Sequence, residues 1–203
     1  MSIEIKLSKK RISYKNAMNF MTKRVDAVKK GNNKDLIWIL EHPKTYTAGI
    51  RFDKNDLINK DTKIIKTNRG GKITLHNPGQ KIIYFVINLN KRKKDIRKFI
   101  NAIEKSLIIF LKQFNIIAKN DKKNIGIWVG EKKIAAIGLR VSRWIAYHGC
   151  SVNICNNLKD YLKIVPCGLD NRKITSIYEE KKIIPKKFEY KLAKIFEENI
   201  NNI

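Results

Sequence analysis

A chain of 203 residues with 43% hydrophobic content is long enough to bury one core and too apolar to remain disordered. Its net charge of +26, from 44 basic and 18 acidic residues, first suggests phosphate contacts with nucleic acid. Lysine far outnumbers arginine, the better reader of phosphate and guanine. It is also scattered through every segment as a compositional bias would scatter it, so nucleic acid is not the expected partner. A surface this positive does attract acidic proteins.

The first residues, "MSIEIKLSKKRISY", are charged throughout, and the longest apolar runs, "LIIFL" and "IIYFVI", are too short to cross a bilayer. The protein is therefore expected to be soluble and cytoplasmic, with no membrane association. Residues 15 to 30 place Ala17, Met21, Val25 and Val28 at helical spacing, and Gly31 follows as a C-cap glycine, predicting the first helix. "DLIWILEH" reads as a buried strand ending at His42-Pro43, and "GQKIIYFVINL" as a longer one opened by Pro78-Gly79, with a polar loop containing Arg69, Gly70 and Gly71 between them. Ile96, Phe99, Ile100, Ile103, Leu107, Leu111 and Phe114 recur at helical spacing and predict a helix from Asp95 to Asn115.

"GIWVGEKKIAAIGLRV" then has two apolar runs broken by Gly130-Glu131-Lys132, as in a hairpin, which puts Lys133 at the mouth of a strand. "WIAYHGCSVNI" continues as a strand interrupted at Gly149. A last helix is expected from Lys186 to Ile200, with Phe188, Leu192, Ala193 and Phe196 on its apolar side. No linker, repeat or shift in composition divides the chain, so residues 1–203 read as a single domain.

Three cysteines, Cys150, Cys155 and Cys167, form no CxxC pair, and neither disulfides nor a zinc site is expected. Cys150 and Cys155 sit at strand positions and read as small buried hydrophobes. Cys167 stands between Pro166 and Gly168, where an extended approach and a tight turn present a thiol at a loop tip. By itself this setting is compatible with a reactive thiol or a packed one. In "TNRGGKITLHNPGQ", two glycines after an arginine allow backbone N–H groups to face a ligand, and a strand-like stretch delivers His76 to a Pro-Gly bend. An ordinary glycine turn and a structural histidine would read the same way.

Jointly these stretches resemble the lipoyl(octanoyl) transferases. The resemblance runs from about Glu41 to Leu169 through four ordered motifs: "EHPKTYTAG", "RGGKITLHNPGQ", "EKKIAAIGLRVSRWIAYHGCSVNI" and "IVPCGL". It implies an acyltransferase that moves an octanoyl group from octanoyl-acyl carrier protein to the ε-amine of a lysine on lipoyl domains. The acceptors would be those of 2-oxoacid dehydrogenase E2 subunits and the glycine cleavage H protein. It implies catalysis by Cys167 as nucleophile and Lys133 as its partner. It also implies substrate binding by Arg69, Gly70, Gly71, Lys72, Ile73, Thr74, Leu75, His76, Ala136, Ile137, Gly138, Gly149, Cys150 and Ser151. The implied fold is α/β, a single domain with a mixed β-sheet flanked by α-helices, like the biotin and lipoate protein ligases. A monomer without cofactor or metal is expected.

Two departures matter: Asn77 stands where the family usually has glycine, and Ala136 where many members have serine. Asparagine tolerates positive φ better than other non-glycine residues, so the turn can be kept. Loss of the serine hydroxyl leaves only a backbone donor.

The cysteine and lysine together make chemical sense. A thiol with an ordinary pKa near 8.5 is only about 3% thiolate at neutral pH. A lysine ammonium about 4 Å away contributes roughly 4 kcal/mol at an effective dielectric of 20, more than the ~2.7 kcal/mol that a two-unit drop requires. Backbone N–H groups around Gly70-Gly71 and near Cys167 are the expected donors to the oxyanion. Two rival readings are an ATP-dependent lipoate or biotin ligase on the same fold, whose nucleotide-binding signatures are not apparent, and a non-catalytic basic RNA-binding protein.

Overall fold

The computed structural model describes residues 2–121, 124–165 and 173–203. In chain order its elements are β1 (Ile3–Leu7), α1 (Tyr14–Lys29), β2 (Asp35–Leu40), β3 (Thr45–Ala48), β4 (Ile64–Lys66), β5 (Ile73–His76), β6 (Gln80–Asn88) and α2 (Ile96–Lys112). There follow β7 (Lys119–Asn120), β8 (Ile127–Val129), β9 (Lys132–Ser142), β10 (Ile145–Asn153), α3 (Ile177–Lys181) and α4 (Glu189–Asn201). Among the described residues they build a seven-stranded sheet, β1-β2-β6-β10-β9-β8-β7, and a three-stranded sheet, β4-β3-β5. β1 pairs with β2 in parallel and the remaining neighbours of the large sheet are antiparallel, so the sheet is mixed.

The two central strands read as continuous apolar runs because both of their faces are covered. Leu36, Trp38 and Leu40 of β2, with Ile82, Tyr84 and Val86 of β6, face α1 through Ala17, Met21 and Val28. The alternate residues Ile37, Ile39, Ile83, Phe85 and Ile87 face α2 and α4, where Phe99 and Phe196 pack edge-on against Phe85 at 5.8 and 5.2 Å. The period of two along each strand thus becomes two cores, one per face. Helix ends follow their capping residues: Ser13 Oγ accepts from Asn16 N at 3.2 Å, Asp95 Oδ1 accepts from Lys98 N at 2.9 Å, and Gly31 closes α1 at φ +78°. No helix among the described residues is long and apolar enough to cross a membrane.

Two expectations need correction, and one element, β1, carries no reading from the sequence. The stretch expected to be a polar loop between β2 and β6 holds two further strands, β3 and β4, beside β5, the strand-like stretch expected to deliver His76, and their sheet has its own small core of Tyr46, Ile73, Leu75, Tyr161 and Ile164. These strands are three or four residues long, too short for a periodic signal, and only pairing defines them. The charged N-terminal stretch contains β1, whose parallel partner lies beyond α1. β10 is not interrupted at Gly149, which pairs in register with Tyr84 and Gly138. Glycine is required there by crowding, since a Cβ would lie 1.8 Å from the Ile83 carbonyl oxygen. The backbone irregularity falls one residue earlier, at His148 with φ +64°.

Candidate active site

β5 and the turn before it lie across β9 and β10, and the space between them is a cavity of about 480 Å³. The contact is made by glycines. Gly70 N donates to the Leu139 carbonyl at 3.1 Å, and a Cβ on Gly70 would sit 2.8 Å from that oxygen. A Cβ on Gly138 would likewise reach within 3.3 Å of the Gly70 carbonyl. The Gly70 N–H is therefore engaged with β9 and does not serve as the oxyanion donor expected of it. Arg69 is buried beside this contact and planted on Thr47, donating to its carbonyl at 2.7 Å and its hydroxyl at 3.0 Å.

The strand period decides which of the motif's residues reach the cavity. Lys72, Thr74 and His76 line it together with Arg69, Gly70 and Gly71, whereas Ile73 and Leu75 point to the other face of the small sheet and fill its core. Ala136, Ile137, Gly138, Gly149, Cys150, Ser151 and Lys133 complete the wall. Burial drives the Cys150 thiol strongly up, so it stays protonated. Ile96, Ile100, Ile125, Leu139 and Val141 add an apolar section that could hold a hydrocarbon chain.

Lys133 is the second residue of β9 and is 4% exposed. Its Nζ donates to the Ile125 carbonyl at 3.2 Å and stands 4.8 Å from the centre of the Trp128 ring. The side chain runs over Gly126, whose Cβ, if present, would lie 3.0 Å from Lys133 Cε. The backbone of Lys133 is clamped on both sides: its N–H donates to Lys173 O and its carbonyl accepts from Thr175 N, each at 2.9 Å. Cys167 lies outside the described residues. The described chain before it ends at Val165, whose N–H donates to Asp56 O at 2.8 Å, and the chain after it resumes at Lys173, against Lys133.

Three histidines stand behind or along the wall, and only His76 was singled out by sequence. His42 donates from Nδ1 to the Ile12 carbonyl at 2.6 Å, so its Nε2 accepts from the Tyr84 hydroxyl at 2.9 Å. His76 stacks on Tyr14 at 6.2 Å and lies 5.6 Å from His42. Burial first, and then the neighbouring His42, pull His76 down to about 3; burial, Arg69 and Arg140 pull His148 down to about 4. Both rings are neutral at physiological pH. Tyr14, Arg51, Tyr84, Asn124 and His148 also line the cavity; His148 comes from the same strand as Gly149, whereas Tyr14 and Tyr84 arrive from α1 and β6 and carry no local signal. Among the described residues no group of three His, Cys, Asp or Glu side chains could hold a metal ion.

Comparison with known proteins bears on the family. The model of the lipoyl protein ligase A/B catalytic domain matches residues 13–197. An octanoyltransferase of Wolbachia sp. subsp. Brugia malayi is 42% identical over 182 residues, covering 87% of this chain and 89% of its own. One from Bartonella bacilliformis is 40% identical over 191 residues, covering 87% and 79%. Among solved structures, a lipoate-protein ligase A bound with ATP superposes with a TM-score of 0.74 at 13% identity, over 98% of this chain and 86% of that one. A bi-partite lipoate protein ligase from Thermoplasma acidophilum gives 0.70 at 13% identity, over 98% and 85%. At such identities the structural likeness speaks for the fold alone. The match over most of the chain and the extent of identity to the octanoyltransferases place the protein in the lipoyl protein ligase A/B catalytic-domain family, as an acyltransferase of the lipoyl(octanoyl) transferase group.

Proposed function

We propose that this chain is a single-domain cytoplasmic enzyme that transfers an octanoyl group from octanoyl-acyl carrier protein to a lysine ε-amine on lipoyl domains, through a thioester on Cys167. The observation that carries the reading is the placing of Lys133. It is buried on the wall of a part-apolar cavity, and its backbone is clamped to Lys173, the residue at which the chain resumes after Cys167. Six residues of chain reach at most ~20 Å, so the connection to Lys173 is compatible with a thiol–lysine pair.

In the first half-reaction the Cys167 thiolate attacks the thioester carbonyl of the donor. The carbon–sulfur bond to the carrier breaks, and Lys133 protonates the departing thiolate, becoming a neutral amine. In the second half the acceptor lysine attacks the acyl-Cys167 carbonyl. Neutral Lys133 takes the proton released as the amide forms, which restores the ammonium and the thiolate. The thioester supplies the driving energy, so neither ATP nor a cofactor enters either step. The acceptors are the lipoyl domains of 2-oxoacid dehydrogenase E2 subunits and the glycine cleavage H protein. The strongly basic surface suits acidic carrier and acceptor proteins.

Mixing the protein with octanoyl-carrier protein is expected to add one octanoyl mass to Cys167, labile to hydroxylamine. Cys167→Ser and Lys133→Ala should each lower transfer on the order of 100-fold or more, whereas Cys155→Ala should not. A Cys167 that remains unmodified during turnover would refute the reading. Product formed from free octanoate only when ATP is added would assign the chain to the ligases instead.

A further inference from the structure

A row of buried polar groups runs from the backbone that clamps Lys133 to the ring of His76, and each link has one possible direction. The Thr175 carbonyl, whose own N–H donates to Lys133 O, can only accept; it accepts from Asn153 Nδ2 at 2.9 Å. Asn153 must therefore present its oxygen on the other side, where Oδ1 accepts from Gln80 Nε2 at 2.9 Å. The same nitrogen lies 2.9 Å from the Tyr161 hydroxyl. Gln80 Oε1 is thus left facing His76 Nδ1 at 2.8 Å. Turning over either amide would set two oxygens, or two N–H groups, against each other. An oxygen opposite Nδ1 requires the imidazole proton to be on Nδ1. Gln80, Asn153 and Thr175 are each at most 4% exposed, so solvent does not compete for these groups.

The consequence lies on the cavity side. Gln80 is not part of the cavity wall and His76 is, so with Nδ1 turned back to Gln80 the polar atom left to the ring is Nε2, carrying a lone pair. Burial keeps that ring neutral, with its pKa near 3, so the lone pair stays available.

We propose that Gln80 and Asn153 are positioning residues: the chain Thr175–Asn153–Gln80–His76 fixes the imidazole with a bare Nε2 that accepts an N–H of the attacking lysine amine, orienting the amine lone pair at the acyl carbonyl. It also ties this wall to the backbone that holds Lys133. The proposal rests on the acyl-transfer reading above. It assigns His76 to the second half-reaction, in which an amine is present, and not to the first, in which none is.

The test uses the full chain labelled with ¹⁵N-histidine. Two-bond ¹H–¹⁵N correlation spectra near neutral pH, with His76 assigned by its loss in His76→Gln, are expected to show a single Nδ1–H tautomer. Gln80→Met should mix the tautomers and slow transfer from acyl-Cys167 to a lipoyl domain by roughly tenfold or more, with acylation of Cys167 changed less than about threefold. An Nε2–H tautomer in the unmutated protein overturns the proposal without any variant having to fold. So does a Gln80→Met protein in which both half-reactions slow alike, which is what a merely structural residue would give, or in which neither changes. If the unmutated protein forms no acyl-Cys167 at all, the reaction assignment falls instead, and the His76 tautomer is still decided by the spectrum.

Discussion

Lys133 shows how one charged side chain can be kept in a wall of low polarity. Its described neighbours are the Ile125 carbonyl and the Trp128 indole face, a dipole and a quadrupole rather than a fixed anion. They hold the ammonium in place, and under the proposed mechanism its charge is directed to a thiolate or a departing sulfur. The cradle depends on Gly126, which sits at φ +143°, a conformation L side chains rarely adopt. A Cβ there would lie 2.7 Å from the Ala135 carbonyl and 3.0 Å from Lys133 Cε. Gly126→Ala is therefore expected to cost on the order of 1–3 kcal/mol in stability. Because the strained residue touches the lysine itself, transfer should fall by roughly tenfold or more in the protein that remains folded. Denaturant unfolding and a steady-state assay check both effects. A variant that is fully active would show that Lys133 tolerates displacement. Lys133 was named by its place in a motif. The Gly126 and Trp128 that hold it carry no local signature and are found only once β8 and β9 are paired.

At the level of elements, β9 and β10 form one hairpin that supplies Lys133, Ala136, Gly138, Gly149 and Ser151, so the cavity wall depends on its register. Register is held most tightly at Gly149, where β6 passes so close that only glycine fits. Gly149→Ala should break the β6–β10 ladder locally and destabilise the fold by about 3 kcal/mol or more, since a backbone carbonyl cannot give way as a side-chain tip can. Chemical denaturation would show this as a lower midpoint, and a midpoint equal to that of the unmutated protein would refute the crowding argument. α2 was legible from the sequence because its period of 3.6 is written over many residues and opened by Asp95, and the β8–β9 hairpin because two apolar runs flank Gly130-Glu131-Lys132. The small sheet was not legible as a sheet. "TYTA" and "IIK" become strands only because β5 and the Tyr46–Tyr161–Ile164 core bring them together.

Over the whole molecule, three buried histidines couple the site to folding. Burial lowers the pKa of His42, takes His76 to about 3 and takes His148 to about 4. Unfolded histidines titrate near 6.5, so between that value and the folded ones the unfolded chain binds more protons, and stability must rise with pH through the window. Unfolding free energy is accordingly expected to be nearly flat from about pH 7 to 8, above which ionisation of the unfolded Cys150 thiol, held protonated in the fold, lowers it. It should fall on acidification below about 6.5, by as much as ~1.4 kcal/mol per pH unit for each histidine that stays neutral in the fold. Urea titrations at a series of pH values would measure this, and unchanged stability from neutral pH down to about 5 would contradict it. By itself the sequence determined the long helices, the central strands and the four ordered motifs, because periodicity, capping residues and motif spacing are local properties of the chain. The meeting of Arg69, His76 and Lys133 on one cavity was decided only by tertiary structure, as were the engagement of the Gly70 N–H by β9 and the direction of the Gln80–Asn153 chain. Each of these arises from contacts between segments dozens of residues apart, and a local pattern cannot encode a distance that the packing of two sheets creates.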